Sequence, residues 1–404
     1  QLKVTDDPSP PGFAQGRTMR NSGTVDRLAF RSQRVTRDRA GVRIRTTCRH
    51  VKGWQIHHDL VWPRGSSWVE SCVTVENSGK EPITLELLSS FSIGGITPFA
   101  ADDAPGRLQL HRMRSVWSME GRLETRSLED LQLERSWSGW GARSERFGAV
   151  GSLPVSGFFP FAAVEDTKAG VVWAAQLAHN GSWQMETYRR GDTVAFSGGL
   201  ADRELGHWQK ALVPGETFTS PRAFVTTVAG SLDDACHALT TAQRRPLPEA
   251  ERNLPVIFNE WATTWGKPSH RNMVALAGAL RGRGIKYLVI DAGWYAPIKG
   301  DWGRAHGDWQ PNPDLYPDGL RHTADAIREA GLVPGLWFEM ETCGPDSQLW
   351  SREDLLLRRD GRVLTVGNRR FLDFRKEETI SYVAERVIGQ LRAADFGYLK
   401  VDYN

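Results

Sequence analysis

The chain has 404 residues, of which 40% are hydrophobic and 25% are charged, and its formal net charge is +3. These values are typical of globular proteins, and the length favours two or three domains. Basic residues are scattered among nearly as many acidic ones, so neither a nucleic-acid partner nor a membrane surface is predicted.

We find no sequence signal for membrane insertion, secretion, disulfide bonding or metal binding. No apolar run approaches the roughly 20 residues of a membrane span, and no signal segment follows Gln1, so we expect a cytoplasmic protein. The four cysteines lie far apart and are expected to be reduced thiols, not a disulfide framework or a zinc site. His57 and His58 are neighbours on a predicted strand and face opposite ways, so no metal is expected.

Residues 1–230 show the pattern of an all-β domain. Apolar and polar residues alternate over 42–46 and 68–75, and a turn at Asn77 leads into a further strand over 83–88. Many short strands separated by Gly and Pro turns are typical of a large antiparallel sandwich. Tryptophans in this part, among them Trp54, Trp62, Trp117 and Trp173, are expected in the core or at interfaces.

The periodicity changes at Ser231. Ser231 and Asp234 resemble a helix capping box, which predicts a helix to about Arg244. A Pro-rich stretch then breaks the helix, so we interpret residues 231–250 as a helical linker between two domains.

From 251 to 404, strands and helices alternate, which indicates a parallel sheet covered by helices. Polar and aromatic residues follow each strand at its C-terminal end, where (β/α)₈ barrels carry their active sites. We therefore predict the N-terminal half of such a barrel, with only the first four βα units present. Its strands are expected at 256–259, 287–291, 333–339 and 398–404, and its helices near 272–283, 319–330 and 377–394.

The last strand carries polar residues at every second position. Lys400, Asp402 and Asn404 would share one face, while Leu399, Val401 and Tyr403 would face covering helices. A buried carboxylate beside an ammonium is unfavourable unless the two are hydrogen-bonded, so such a pair usually marks either a site or an ion pair that caps the strand. Asp402 is the first catalytic candidate.

The other strand ends complete a predicted pocket. Asn259 and Trp261 follow the first strand, Asp291 ends the second, and Trp337 and Glu339 end the third. Carboxylates among indole rings suit a pyranose, because the acids accept hydrogen bonds from hydroxyls and the rings stack on the C–H face of the sugar.

Five short motifs follow one another along residues 251–404. The chain resembles the α-galactosidases of glycoside hydrolase family 36 in these motifs, and its N-terminal part resembles that family's β-supersandwich at Ser89 to Gly95 and at Arg114 to Ser118. The five motifs are Asn259-Glu260-Trp261, Asp291-Ala292-Gly293-Trp294, Gly307-Asp308-Trp309 with Tyr316 to Leu320, Gly335 to Glu339, and Lys400 to Asn404.

The resemblance implies a retaining exo-α-galactosidase that works by double displacement, with Asp402 as the nucleophile. It further implies that Lys400, Asn404 and Asp291 bind sugar hydroxyls, and that Trp261 and Trp337 line the galactose pocket. The neighbouring ammonium would keep Asp402 ionised. We expect an α-galactoside oligosaccharide or glycoconjugate as substrate, no cofactor, and a homo-oligomer, for which the resemblance suggests a tetramer.

Two departures from the family pattern leave alternatives open. Ala292 stands where these enzymes commonly have a second aspartate, so an α-N-acetylgalactosaminidase or α-galactosaminidase is the alternative activity. A family arginine expected shortly before Leu372 has no secure counterpart, although Arg369 and Arg370 lie near it.

The general acid/base is the larger departure. The resemblance places it on a sixth strand, whereas the fourth strand ends at Asn404. Glu339 and Glu341 are expected to line or support the pocket and not to transfer the proton. The chain alone is therefore expected to be inactive, and a non-catalytic carbohydrate-binding fragment is a further alternative. His306 lies in a loop and is expected to be solvated.

Overall fold

The computed structural model describes residues 1–8, 22–97, 104–134, 142–190 and 193–403. The chain forms two compact units, 1–245 and 246–404, and the boundary between them falls inside the predicted linker. Within the described ranges, no helix is both long and apolar enough to cross a membrane.

The first unit is built almost entirely from β-strands. Its short helices are α1 (Gly23–Asp26) and α2 (Arg203–Gly206), and its longer one is α3 (Leu232–Gln243). Its strands are β1 (Leu2–Val4), β2 (Leu28–Arg37), β3 (Gly41–His50), β4 (Gln55–Pro63), β5 (Trp68–Glu76), β6 (Ile83–Ile96), β7 (Leu108–Ser115), β8 (Arg122–Ser127), β9 (Ala142–Ala149), β10 (Gly157–Asp166), β11 (Val171–Ala178), β12 (Trp183–Arg190), β13 (Thr193–Leu200), β14 (Lys210–Leu212), β15 (Thr217–Thr219) and β16 (Arg222–Ala229).

These strands form two antiparallel sheets. The smaller has the order β1-β6-β13-β12-β9 with β14 also on β6, and the larger has the order β2-β3-β4-β5-β16-β11-β10-β7-β8 with β15 on β5. Phe91, Trp183 and Phe196 of the smaller sheet share a buried cluster with Leu110 and Val164 of the larger sheet. The two sheets thus pack through a common core, as in a sandwich.

Helix α3 begins at the predicted capping box. Ser231 accepts a hydrogen bond from the backbone N–H of Asp234, and the Asp234 carboxylate accepts one from the N–H of Ser231. The apolar side of the helix, with Ala235 and Leu239, packs against Phe224 of the larger sheet. This part of the predicted linker therefore belongs to the first unit.

Not every tryptophan of the first unit is buried. Trp54 and Trp173 lie in the core as predicted, but Trp62 and Trp117 are 46% and 90% exposed. Trp62 and Trp117 therefore do not lie in the core, and an interface position for them stays a prediction.

The second unit alternates strands and helices. Its main elements are β17 (Val256–Asn259), α4 (Trp261–Thr264), α5 (His270–Leu280), β18 (Ile285–Ile290), α6 (Trp302–Ala305), α7 (Gly319–Glu329), β19 (Val333–Phe338), β20 (Thr342–Cys343), β21 (Arg358–Arg359), β22 (Arg362–Val363), β23 (Thr365–Val366), β24 (Arg369–Phe371), α8 (Glu377–Val383), a π-helical turn (Ala384–Ile388), α9 (Gly389–Ala393) and β25 (Tyr398–Val401). Two 3₁₀ turns lie at Glu249–Glu251 and Gln348–Ser351.

Four of these strands form a parallel sheet in the order β17-β18-β19-β25. Leu288 and Ile290 occupy alternate positions of β18, and Leu336 and Phe338 occupy alternate positions of β19. All four are fully buried in a cluster that includes residues of the helices. At Gly335 on β19, an added Cβ would lie 3.0 Å from the ring of Tyr398 on β25. The absence of a side chain at Gly335 therefore leaves room for this ring.

The last strand differs from its prediction. It ends at Val401, and Leu399, Val401 and Tyr403 are 38%, 50% and 46% exposed instead of covered by helices. Because β25 pairs only with β19 among the described strands, it is an edge strand of this sheet, and these side chains stay partly exposed.

Candidate active site

The register of the parallel sheet brings the predicted polar residues to one edge. Trp337 on β19 pairs with Lys400 on β25, and Ile290 on β18 pairs with Leu336, so Asp291 comes next to Trp337. Asn259 pairs with Val289, two residues before Asp291 and on the same face. Strand pairing alone thus assembles the residues that the sequence placed on separate strands.

Asp291 lies at the centre of this edge and is 2% exposed. Its Oδ2 accepts hydrogen bonds from Asn259 Nδ2 at 2.7 Å and from Lys400 Nζ at 2.6 Å. Its Oδ1 accepts one from the backbone N–H of Ala292 at 2.8 Å. The buried carboxylate is therefore fully engaged, which fixes its position and offsets the loss of water.

Asp402 lies beside this pair and is more open to solvent, with a side chain that is 35% exposed. Its Oδ2 accepts a hydrogen bond from Trp337 Nε1 at 2.9 Å and lies 3.7 Å from Lys400 Nζ. Its backbone N–H donates to the carbonyl of Phe338, which ties the end of β25 to β19. The ammonium thus lies near Asp402, as the sequence analysis expected, but it is closer to Asp291.

Trp337 is fully buried. Its ring contacts Trp302 at 5.9 Å between centroids, Trp309 at 6.1 Å and Tyr295 at 6.3 Å. In this chain its contact with the site is the hydrogen bond from its indole N–H to Asp402, and no broad ring face is exposed for stacking.

Trp261 begins α4 immediately after the first strand and is partly buried. Its backbone N–H donates to Asn259 Oδ1 at 3.0 Å, so Asn259 holds both this turn and Asp291. The Trp261 ring contacts Trp302 at 5.5 Å and Trp265 at 5.8 Å. The remaining predicted site residue, Asn404, lies outside the described residues.

Glu260 is a site residue that the sequence analysis did not single out. It is fully buried, and its Oε1 accepts a hydrogen bond from the backbone N–H of Asp291 at 3.1 Å, while Oε2 accepts one from the hydroxyl of Thr264 at 2.5 Å. Burial raises the pKa of Glu260. Its position between Asn259 and Trp261 in the sequence gave no sign of this role.

A second buried acid, Glu339, lies at the end of β19. Arg369 on β24 donates to it from Nε at 2.6 Å and from Nη2 at 3.1 Å, and the Thr342 hydroxyl donates at 2.5 Å. Burial alone would raise the pKa of Glu339, but these hydrogen bonds and the neighbouring positive charge hold it below its ordinary value. Arg369, one of the two arginines near the position where the family arginine is expected, thus pairs with a buried acid at the end of β19.

The prediction that His306 is solvated is wrong. His306 is fully buried, with Nε2 at 2.9 Å from the Thr342 hydroxyl and 3.8 Å from Glu339. Burial lowers the pKa of His306 to about 4. Its burial depends on the loops after β18 and β19 folding together, which no local pattern around Gly307 revealed.

The motif around Ala292 is shaped by close backbone packing. Ala292 is 1% exposed, and the next residue, Gly293, has φ of +99°. A Cβ at Gly293 would lie 2.0 Å from the carbonyl oxygen of Gly266, so only glycine allows the two loops to approach this closely. Asp308 accepts hydrogen bonds from the N–H groups of Gln348 and Leu349.

The arrangement can bind a ligand rich in hydroxyls. It presents two carboxylates that share an ammonium, and one of them, Asp402, is accessible and fixed by an indole N–H. Such a group can accept hydrogen bonds or attack an electrophilic carbon.

Comparison with known proteins finds related sequences and structures. Residues 217–404 match the family model described as Melibiase. A probable alpha-galactosidase C from Aspergillus terreus is 28% identical over 370 residues, which is 85% of this chain and 46% of that protein. The alpha-galactosidase AgaA of Geobacillus stearothermophilus is 28% identical over 336 residues, 81% of this chain and 43% of that protein. The chain is thus similar in sequence to α-galactosidases.

The fold of the chain is also similar to that of solved structures. The GH36 alpha-galactosidase AgaB from Geobacillus stearothermophilus has a TM-score of 0.79 at 21% identity, covering 93% of this chain and 52% of that chain. An alpha-galactosidase from Lactobacillus brevis has a TM-score of 0.79 at 17% identity, covering 100% of this chain and 58% of that one. The chain spans about half the length of the curated relatives that it matches.

Proposed function

We propose that the protein is a retaining exo-α-galactosidase in which Asp402 is the nucleophile. The observation that carries the proposal is the array of Asp291, Lys400 and Asp402 at one edge of the parallel sheet, with Asp402 accessible and held by Trp337. Relatives named alpha-galactosidases support the reaction, and related structures bound to raffinose and stachyose support an α-galactoside oligosaccharide as substrate.

Two displacements at the anomeric carbon make up the proposed reaction. A carboxylate oxygen of Asp402 forms a bond to this carbon, the bond to the leaving-group oxygen breaks, and that oxygen takes a proton from a general acid. Water then attacks the same carbon, loses a proton to the conjugate base and releases Asp402, which gives net retention. Asp291 and Lys400 would hold the sugar hydroxyls during both steps.

The general acid is not assigned to a residue of the second unit. Glu339 is held in its ionised form by Arg369, and Glu260 lies behind Asp291 with its oxygens on Thr264 and the backbone. We place the acid on a later strand of a complete (β/α)₈ barrel, of which the four parallel strands form the first part, and we propose a homo-oligomeric assembly for the whole enzyme.

Substitution of Asp402 by Asn in the full-length protein tests the proposal. The variant lacks a nucleophile, so kcat for an aryl α-galactoside should fall by about 10⁴-fold or more, since the covalent step has no substitute. The matched control is Asp314→Asn at an exposed aspartate of the same unit, which should leave kcat within about twofold.

Three results would overturn parts of the proposal. Near-normal turnover by Asp402→Asn would remove the assigned nucleophile. A full-length protein that hydrolyses no α-galactoside would remove the activity. A clear preference for α-N-acetylgalactosaminides over α-galactosides would replace the sugar.

A further inference from the structure

Trp265 is an exposed tryptophan close to the candidate site. Its side chain is 68% exposed, whereas the other indoles of the second unit that contact one another near Asp402 are buried or partly buried. Its backbone has φ of +52°, in the left-handed region that a bulky residue seldom adopts. A glycine or asparagine would occupy this backbone position with less strain, so the presence of an exposed indole needs a reason.

The backbone that carries Trp265 is held firmly. Its N–H donates to the carbonyl of Trp261 at 2.8 Å and so closes the end of α4. The following residue, Gly266, has φ of +85°, and a Cβ there would lie 2.6 Å from Trp302. The carbonyl of Gly266 lies close to Gly293, two residues after Asp291, because a Cβ at Gly293 would lie 2.0 Å from its oxygen. The Trp265 ring is therefore exposed at a position fixed relative to the site.

Ring contacts connect Trp265 to the proposed nucleophile. Trp265 contacts Trp261 at 5.8 Å and 65° between planes, and Trp261 contacts Trp302 at 5.5 Å and 85°. Trp302 contacts Trp337 at 5.9 Å and 87°, and Trp337 donates its hydrogen bond to Asp402. Each ring contacts the next by an edge, which is a favourable aromatic geometry. The series begins at Asp402 and ends at an accessible indole.

We propose that Trp265 is the stacking platform for the first sugar ring of the leaving group. This inference rests on the proposed α-galactosidase function. An indole presents a flat apolar surface that matches the C–H face of a pyranose, and one with a fixed backbone binds it with little loss of entropy. The residue thus selects α-galactosides whose galactose is attached to another sugar.

The test compares two substrates on the full-length protein. Raffinose carries a sugar leaving group, and α-D-galactosyl fluoride carries a leaving group with no ring. For Trp265→Ala, kcat/KM for raffinose should fall by about tenfold, chiefly through KM, because a stacking contact of the usual strength is lost. Its kcat/KM for α-D-galactosyl fluoride should stay within about twofold, and Trp265→Phe should restore most of the raffinose activity. The control Trp62→Ala, at an exposed tryptophan of the first unit, should change neither value.

The outcomes separate this inference from the proposed function. If the wild-type protein does not hydrolyse α-D-galactosyl fluoride, the proposed function fails. If it does, and Trp265→Ala cleaves raffinose as well as the wild type, the inference alone is overturned. Equal losses on both substrates together with a lower melting temperature would show a structural role for Trp265 and would also overturn it.

Discussion

At the scale of single residues, the site depends on contacts that fix Asp291 and not on Asp291 alone. Asn259 and Lys400 hold one of its oxygens, Ala292 holds the other, and Glu260 holds its backbone N–H. Each of these groups comes from a different strand or turn. A small displacement of one loop therefore moves a carboxylate that the proposed reaction needs in place.

Gly293 is the residue at which such a displacement can be produced. Gly293→Ala would place a Cβ 2.0 Å from the Gly266 carbonyl at a positive φ, so we expect the free energy of unfolding to fall by more than about 1 kcal/mol and kcat/KM to fall with it. Urea denaturation and assays of an α-galactoside measure the two effects. Gly282→Ala is the control, because its φ is +73° but nothing lies within 4 Å of the added Cβ; an equal loss in both variants would refute the role of the close approach.

At the scale of elements, helix α3 shows how well local signals can be read. Ser231 and Asp234 form the two reciprocal hydrogen bonds that their spacing predicted. Ser231→Ala removes the side-chain acceptor at the start of the helix and should lower the free energy of unfolding by about 1 kcal/mol, measured by urea denaturation. Thr240→Ala on the exposed side of the same helix is the control, and an equal change there would argue against the capping contribution.

The strands of the second unit were also predictable, because apolar runs with polar residues at their ends mark buried parallel strands. Asp291, Lys400 and Asp402 could be found in the same way. The pairing of Glu339 with Arg369 could not, because it depends on the hairpin of β23 and β24 folding back onto the end of β19. Glu260 and Trp265 were missed for a similar reason, since their environments are created by a neighbouring loop.

At the scale of the whole molecule, the buried charges make stability depend on pH. His306 has a pKa of about 4 in the folded protein, below its ordinary value of 6.5, so the unfolded chain binds a proton between these pH values that the folded chain does not. Stability therefore falls as the pH is lowered from 6.5 to 4. Glu339 also has a lowered pKa, so its contribution, present above its ordinary pKa, is lost as the pH falls further, and the two effects have the same sign.

Chemical denaturation at several pH values measures this dependence. His306 should contribute a loss of up to roughly 3 kcal/mol between pH 6.5 and 4. His306→Gln, which keeps a polar group beside Thr342 but does not titrate, should flatten the profile in this interval. The exposed His237→Gln serves as the control. An unchanged profile in His306→Gln would show that other groups cause the acid sensitivity.

The hydrogen bond from Trp337 to Asp402 also gives the molecule its own optical probe. In the proposed reaction Asp402 acts as a carboxylate, and an anionic oxygen 2.9 Å from an indole nitrogen would perturb the electronic transitions of that ring. Esterification of Asp402 by a sugar would remove this negative charge, and the ultraviolet absorption and emission of Trp337 would shift. Rapid-mixing spectroscopy could then follow formation and breakdown of the proposed covalent intermediate without any dye.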